Sequence, residues 1–165
     1  IWKGASYAIK NNLKNAFFLR TQIEMIDNYF AEDEVDEIWI TFPDPQLRLS
    51  RAKKRLTHPA FLMKYEKFLK RGGRIHLKTD SPSLYGFTKE VISWCGLELI
   101  KDMPDVYSLP DIPEDVKIKT YYESLDIARS KKVFYLCWSI PEEWNRNAKA
   151  FTDYFKAKMS SIETE

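Results

Sequence analysis

Apolar side chains recur along this chain in two rhythms, one at three and four residues and one in short unbroken runs. Trp2, Ala5, Ala8 and Ile9 follow the first and predict a helix over residues 2–12, closed by Asn11 and Asn12. The run at 16–19 predicts a short strand, and the spacing over 23–30 predicts a second helix. A strand over 37–42 follows and stops at Pro43-Asp44-Pro45, because proline removes a ladder donor and forces extended or turn geometry. Pro59 then opens a helix through residue 70, with Phe61, Leu62, Tyr65, Phe68 and Leu69 on one face, and Gly72-Gly73 stops it. A strand over 74–79 runs into Asp80-Ser81-Pro82, where Asp80 or Ser81 can cap a helix over 82–95. A strand over 97–100 comes next. Residues 102–118, with Pro104, Pro110 and Pro113, read as a long irregular connection of the kind that is more often functional than accidental. A helix over 120–130, a strand over 133–139 and a polar tail complete the pattern.

Strands alternating with helices predict an α/β fold, a mostly parallel sheet with helices on both faces. In such sheets ligands gather beyond the carboxyl ends of the strands, and both Pro43-Asp44-Pro45 and Thr79-Asp80 fall at that edge. The chain has 165 residues, a length that one core can serve, so a single domain over 1–165 is expected. An apolar share of 44% with 15% aromatic residues excludes the composition of disordered chains. Lys and Arg exceed Asp and Glu by only 26 to 24, so attraction to a polyanion has to come from the placement of charge. Cys95 and Cys137 stand apart with no paired-cysteine or Cys/His spacing, so no metal site and no disulfide framework is expected. No apolar run approaches the ~20 residues that span a bilayer, and no secretory signal opens the chain. A cytoplasmic protein without membrane attachment is the expectation.

Three segments carry candidate chemistry. Asp44 leaves the end of a strand between two prolines, which gives a carboxylate the rigid placement a catalytic group needs, although Asp beside Pro also staples turns. Arg48, Arg51, Lys53, Lys54 and Arg55 follow within eleven residues and could neutralise phosphates, or form a solvated charged face. Thr120-Tyr121-Tyr122-Glu123 offers a hydroxyl, two stacking rings and a carboxylate, and equally the pattern of a helix capping box.

Taken together, Phe42-Pro43-Asp44-Pro45, the basic stretch ending Lys54-Arg55-Leu56, Pro59-Ala60-Phe61-Leu62, Gly72-Gly73, Thr79-Asp80 and Thr120-Tyr121-Tyr122-Glu123 resemble, in order and spacing, the bacterial tRNA (guanine-N7)-methyltransferases. The resemblance covers almost the whole chain. It implies a class I, Rossmann-like fold and methyl transfer from S-adenosylmethionine to N7 of the variable-loop guanosine of tRNA. By that resemblance Asp44 is the catalytic and cofactor-binding acid, and Gln22 falls near a cofactor-adenine position. Arg48, Asp80, Thr120 and Glu123 contact the substrate, and Arg51, Lys53, Lys54 and Arg55 are read as the tRNA phosphate contacts. Two departures are visible: Arg48 replaces the usual Lys, and Gln46 stands where Trp is favoured.

The family also holds its cofactor with a Gly-rich loop, yet Gly4, Gly72, Gly73, Gly86 and Gly96 form no such cluster. The expectation is therefore a longer natural protein whose N-terminal strands precede Ile1. Two other readings are weighed. An amino-methyltransferase acting on adenine or cytosine would carry a second proline and an aromatic residue after the acid, and Asp44-Pro45-Gln46 has neither. A catalytically silent RNA-binding module is compatible with the absent glycine loop. Oligomeric state and tRNA preference are open at this level.

Overall fold

The computed structural model describes residues 1–108, 110–124 and 132–162. Four strands form one sheet: β1 (Val35–Thr41), β2 (Leu69–Thr79), β3 (Glu98–Met103) and β4 (Phe134–Ser139), in the order β1-β2-β4-β3. β1 and β2 pair in parallel, and β4 runs antiparallel to both β2 and β3. Three strands therefore share one direction, as a mostly parallel sheet requires, but the single reversed strand makes two of the three ladders antiparallel. The second edge of β1 has no strand beside it among the described residues.

The two faces of the sheet follow from the alternation of side chains along β2 and β4. Ile75, Leu77, Leu136 and Trp138 point to one face and are fully buried under α2 (Pro59–Tyr65), α3 (Pro82–Cys95) and α6 (Ala148–Ile162). Tyr135 and Cys137 point to the other, where Met103, Val106 and Val116 cover them. Val106 begins the 3-10 turn Val106–Ser108 and Val116 lies in α4 (Glu114–Lys117), so the connection expected to be irregular over 102–118 starts inside β3 and holds two short helical turns. Its apolar residues are too sparse for a period to show, and they are buried because the second sheet face needs cover. Both cysteines are buried and free.

α3 forms where the sequence predicts it. Ser81 Oγ accepts from Leu84 N at 3.2 Å, Pro82 takes the first helical position, and Gly96 at φ 70° supplies the left-handed stop. Leu84, Phe87, Val91, Ile92 and Cys95 give it a buried stripe.

α1 (Trp2–Lys10) and the 3-10 turn Ile23–Asn28 occupy the first two expected helices. Four expectations need correction. Residues 16–19 form no strand: Phe17 is 90% exposed, and no ladder partner stands beside the run among the described residues. α2 ends at Tyr65 rather than residue 70, because Leu69 already pairs with Val35 in β2. Gly72 and Gly73 consequently sit in a bulge inside the strand, where a Cβ on Gly73 would lie 2.7 Å from Lys70 O and 2.9 Å from Asp36 O. The tail beyond β4 is not featureless: α6 buries Phe151 and Phe155, one helical turn apart, in the main core. Of the helix expected over 120–130, only α5 (Tyr121–Ser124) lies within the described residues.

Candidate active site

The end of β1 delivers Asp44. Thr41 pairs with Lys78, and Phe42 N still donates to Lys78 O at 2.8 Å, so the chain stays fixed to β2 until the first proline turns it away. Phe42 and Gln46 both adopt left-handed backbone, at φ 47° and 46°. For residues with a Cβ this costs on the order of 1–2 kcal/mol each, and such strain persists only when surrounding contacts hold it. The contacts are specific. Asp44 Oδ1 accepts from Gln46 N at 2.9 Å, while Arg55 Nε donates to Pro45 O at 3.1 Å and Arg55 Nη2 donates to Gln46 O at 3.2 Å. The turn-stapling reading of Asp44 is thus realised, and the carboxylate is still exposed, with no further hydrogen bond to it among the described residues.

Arg55 departs from its expected role. Its side chain is buried, with the guanidinium 4.4 Å from the centroid of the Phe87 ring, and burial lowers its pKa from the usual arginine value. A phosphate on the surface cannot reach it; Arg55 braces the acidic turn from beneath. Arg48, Arg51, Lys53 and Lys54 remain exposed, the last three on the 3-10 turn Leu49–Lys54 that follows the acidic turn. None of the four forms an ion pair among the described residues.

Asp80 follows β2 at the same edge of the sheet and is half-buried. Thr79 Oγ1 accepts from Ser81 N at 3.1 Å, and Ser81 rather than Asp80 caps α3. Thr120 and Glu123 form the reciprocal capping box that their spacing permits: Glu123 N donates to Thr120 Oγ1 at 3.2 Å and Thr120 N donates to Glu123 Oε2 at 3.1 Å. Glu123 reaches further, lying 3.0 Å from Lys78 Nζ and accepting from the Tyr107 hydroxyl. Lys78 stands beside the Thr79-Asp80 motif but was given no role of its own from the sequence, and Tyr107 was not singled out at all. The one available signal was a lysine on a strand whose neighbouring residues are almost all core.

Gln22 is exposed at the start of the 3-10 turn Ile23–Asn28. Ile23 and Ile26 of that turn line, with Ile40, Thr41 and Pro43, an apolar cleft of about 460 Å³ along β1. Gln22 and Asp44 are the chain neighbours of two lining residues, Ile23 and Pro43, and neither lines the cleft itself. Among the described residues no group of His, Cys, Asp and Glu could hold a metal ion, and no helix is long and apolar enough to cross a membrane.

The sheet, with its acidic turns gathered at one strand edge, defines an α/β protein of the class I methyltransferase fold. Residues 3–136 match the model of the family described as "Putative methyltransferase", and the chain belongs to that family. Its curated relatives include proteins named tRNA (guanine-N(7)-)-methyltransferase from Porphyromonas gingivalis, 44% identical over 86% of this chain, and from Bacteroides thetaiotaomicron, 41% identical over 99%. The protein of the same name from Bacteroides fragilis is 38% identical over 99% of the chain. The family resemblance carried by the motifs is borne out. The chain spans 58% of the length of the first of these relatives and 67% of each of the other two.

Proposed function

We propose that this chain is the catalytic and substrate-facing part of a tRNA (guanine-N7)-methyltransferase, one domain that uses S-adenosylmethionine to methylate the variable-loop guanosine. The observation that carries the reading is the Asp44 turn: two left-handed residues, Phe42 held by the Lys78 carbonyl and Gln46 by a buried arginine, flank an otherwise unengaged carboxylate at the carboxyl edge of β1, followed directly by four exposed cations. The names of the relatives supply the substrate and the position methylated.

The residues present fit part of a cofactor site. The cleft beside β1 is walled by Ile23, Ile26, Ile40 and Pro43, suited to a flat apolar ring, and the exposed Gln22 and Asp44 adjoin Ile23 and Pro43 in the chain. When bound, S-adenosylmethionine supplies an electrophilic methyl group on a sulfonium. Guanine N7 has a lone pair available at neutral pH, so this chain's residues need to orient and stabilise rather than remove a proton. Asp44 offsets positive charge that develops on the methylated ring, and its fixed position means that no reorganisation is needed at that moment. Asp80 supplies a second carboxylate from β2 for donors on the base edge. Thr120 and Arg48 bound the substrate side, Glu123 holding the Thr120 turn, with Arg51, Lys53 and Lys54 gripping phosphates.

Incubating the full-length protein with tRNA and isotopically labelled S-adenosylmethionine, then mapping the labelled nucleotide, tests the reading. Label on N7 of the variable-loop guanosine is the expected result. Label on an exocyclic adenine or cytosine amine, or tRNA binding without any label, would replace it with an amino-methyltransferase or a silent RNA-binding module.

A further inference from the structure

We propose that Lys78 is a positioning residue, a clasp that locks Tyr107 and the substrate-side residues 116–123 to the same strand end that holds the Asp44 turn. The inference rests on the function proposed above and assigns a working part that no motif marks. Lys78 lies at the carboxyl end of β2, 2% exposed at its side chain. Its carbonyl accepts from Phe42 N at 2.8 Å and so fixes the start of the acidic turn. Its ammonium donates to Val116 O at 2.8 Å, Ile118 O at 3.1 Å, the Tyr107 hydroxyl oxygen at 3.3 Å and Glu123 Oε2 at 3.1 Å. One residue thus ties both halves of the proposed site to a single point, its backbone holding one and its side chain the other.

The arrangement changes what Glu123 does. Oε2 accepts from Lys78 Nζ and Thr120 N, Oε1 accepts from Tyr107 and lies 3.0 Å from Lys78 Nζ, and the side chain is only 6% exposed. A carboxylate whose two oxygens are both engaged, and which is closed from solvent, is not available to donors on a guanine. Glu123 acts instead through Lys78 and Thr120: it ties the Thr120-Tyr121 turn to the carboxyl end of β2. Tyr121, 73% exposed, is the surface this turn presents to a base. A buried ion pair of this kind is a registry device, and removing one partner leaves the other charge uncompensated.

The test is a double-mutant cycle in the full-length protein with Lys78→Met, Glu123→Gln and both together, read as kcat and KM for tRNA and KM for S-adenosylmethionine. Each single variant should raise KM for tRNA by about tenfold or more, with a smaller change in kcat and none in KM for the cofactor. The double variant should be no worse than Lys78→Met alone. A direct contact between Glu123 and the base would instead multiply the two losses, and that result overturns the proposal. Tyr107→Phe removes a single hydroxyl and serves if Lys78→Met does not fold. It should raise KM for tRNA severalfold and speed amide hydrogen exchange at Tyr107 and across 116–123, while unchanged exchange and unchanged KM would refute the clasp. The exchange arm needs no turnover. Absence of methyl transfer by the unmodified protein would sink the functional reading alone, and the exchange data would still decide the clasp.

Discussion

Arg55 lies beneath Gln46 and donates to its carbonyl oxygen through two nitrogens, Nε at 3.3 Å and Nη2 at 3.2 Å. The bond links the most buried cation of the basic stretch to one of the two left-handed residues of the acidic turn. Arg55 therefore belongs to the machinery that aims Asp44, and the exposed cations around it are left to meet a polyanion.

Replacing Arg55 with Lys separates these roles. A lysine keeps the charge but offers a point donor in place of a planar fork, so it cannot reach both carbonyls with the same geometry. Stability should fall by about 2 kcal/mol, the scale of a broken charge-assisted bond. Turnover should fall more than tRNA affinity does. Urea denaturation and steady-state kinetics of the Arg55→Lys variant check both, and an unchanged kcat would show that the brace is dispensable.

The four exposed cations carry a different signature. Replacing Arg48, Arg51, Lys53 and Lys54 together by Ala should weaken tRNA binding while leaving the fold intact, since none has an ion-pair partner to strand among the described residues. The slope of log K against log salt should flatten by roughly 0.7 to 0.9 for each phosphate that is no longer neutralised. Filter binding at several salt concentrations measures it, and an unaltered slope would place the RNA elsewhere.

His58 gives the fold a pH dependence. It is the N-cap of α2, with Nδ1 accepting from Ala60 N at 3.2 Å and Nε2 placed 3.0 Å from Thr152 Oγ1. Burial, with Arg55 nearby, lowers its pKa from 6.5 to about 4. Between those values the unfolded chain binds a proton that the folded chain does not, so stability is fully present above pH 6.5 and declines as pH falls toward 4. The loss is about 2–3 kcal/mol. Asn in its place keeps a capping acceptor and titrates nowhere in the window, so His58→Asn should flatten the decline measured by urea denaturation. His76, also lowered by burial, leaves a residual slope of the same sign.

Much of this layout was legible in the sequence because the residues involved leave local signatures. Pro43 and Pro45 mark the end of β1 and put Asp44 at the strand edge, and Ser81-Pro82 with Gly96 brackets α3. Thr120 and Glu123 form the capping box that their spacing allows. What stayed hidden depends on contacts distant in the chain. α6 anchors through Phe151 and Phe155, a stripe too narrow for a clear helical period, and β2 starts at Leu69 because Val35 lies beside it. Arg55 looked like one more member of a charge run, and only the rings of Phe87 and Phe155 around it reveal a buried role. Lys78 was hidden for the same reason, since each of its side-chain partners lies 29 or more residues away.

The central claim is that the negative charge of Asp44, and not merely the turn it staples, is what methyl transfer requires. Asp44→Asn keeps an oxygen to accept from Gln46 N while it removes the charge, so the turn survives and the electrostatics do not. Single-turnover methyl transfer to tRNA by the full-length Asp44→Asn variant should slow by about 10²–10³-fold with tRNA affinity unchanged. A rate equal to that of the unmodified protein would contradict the account.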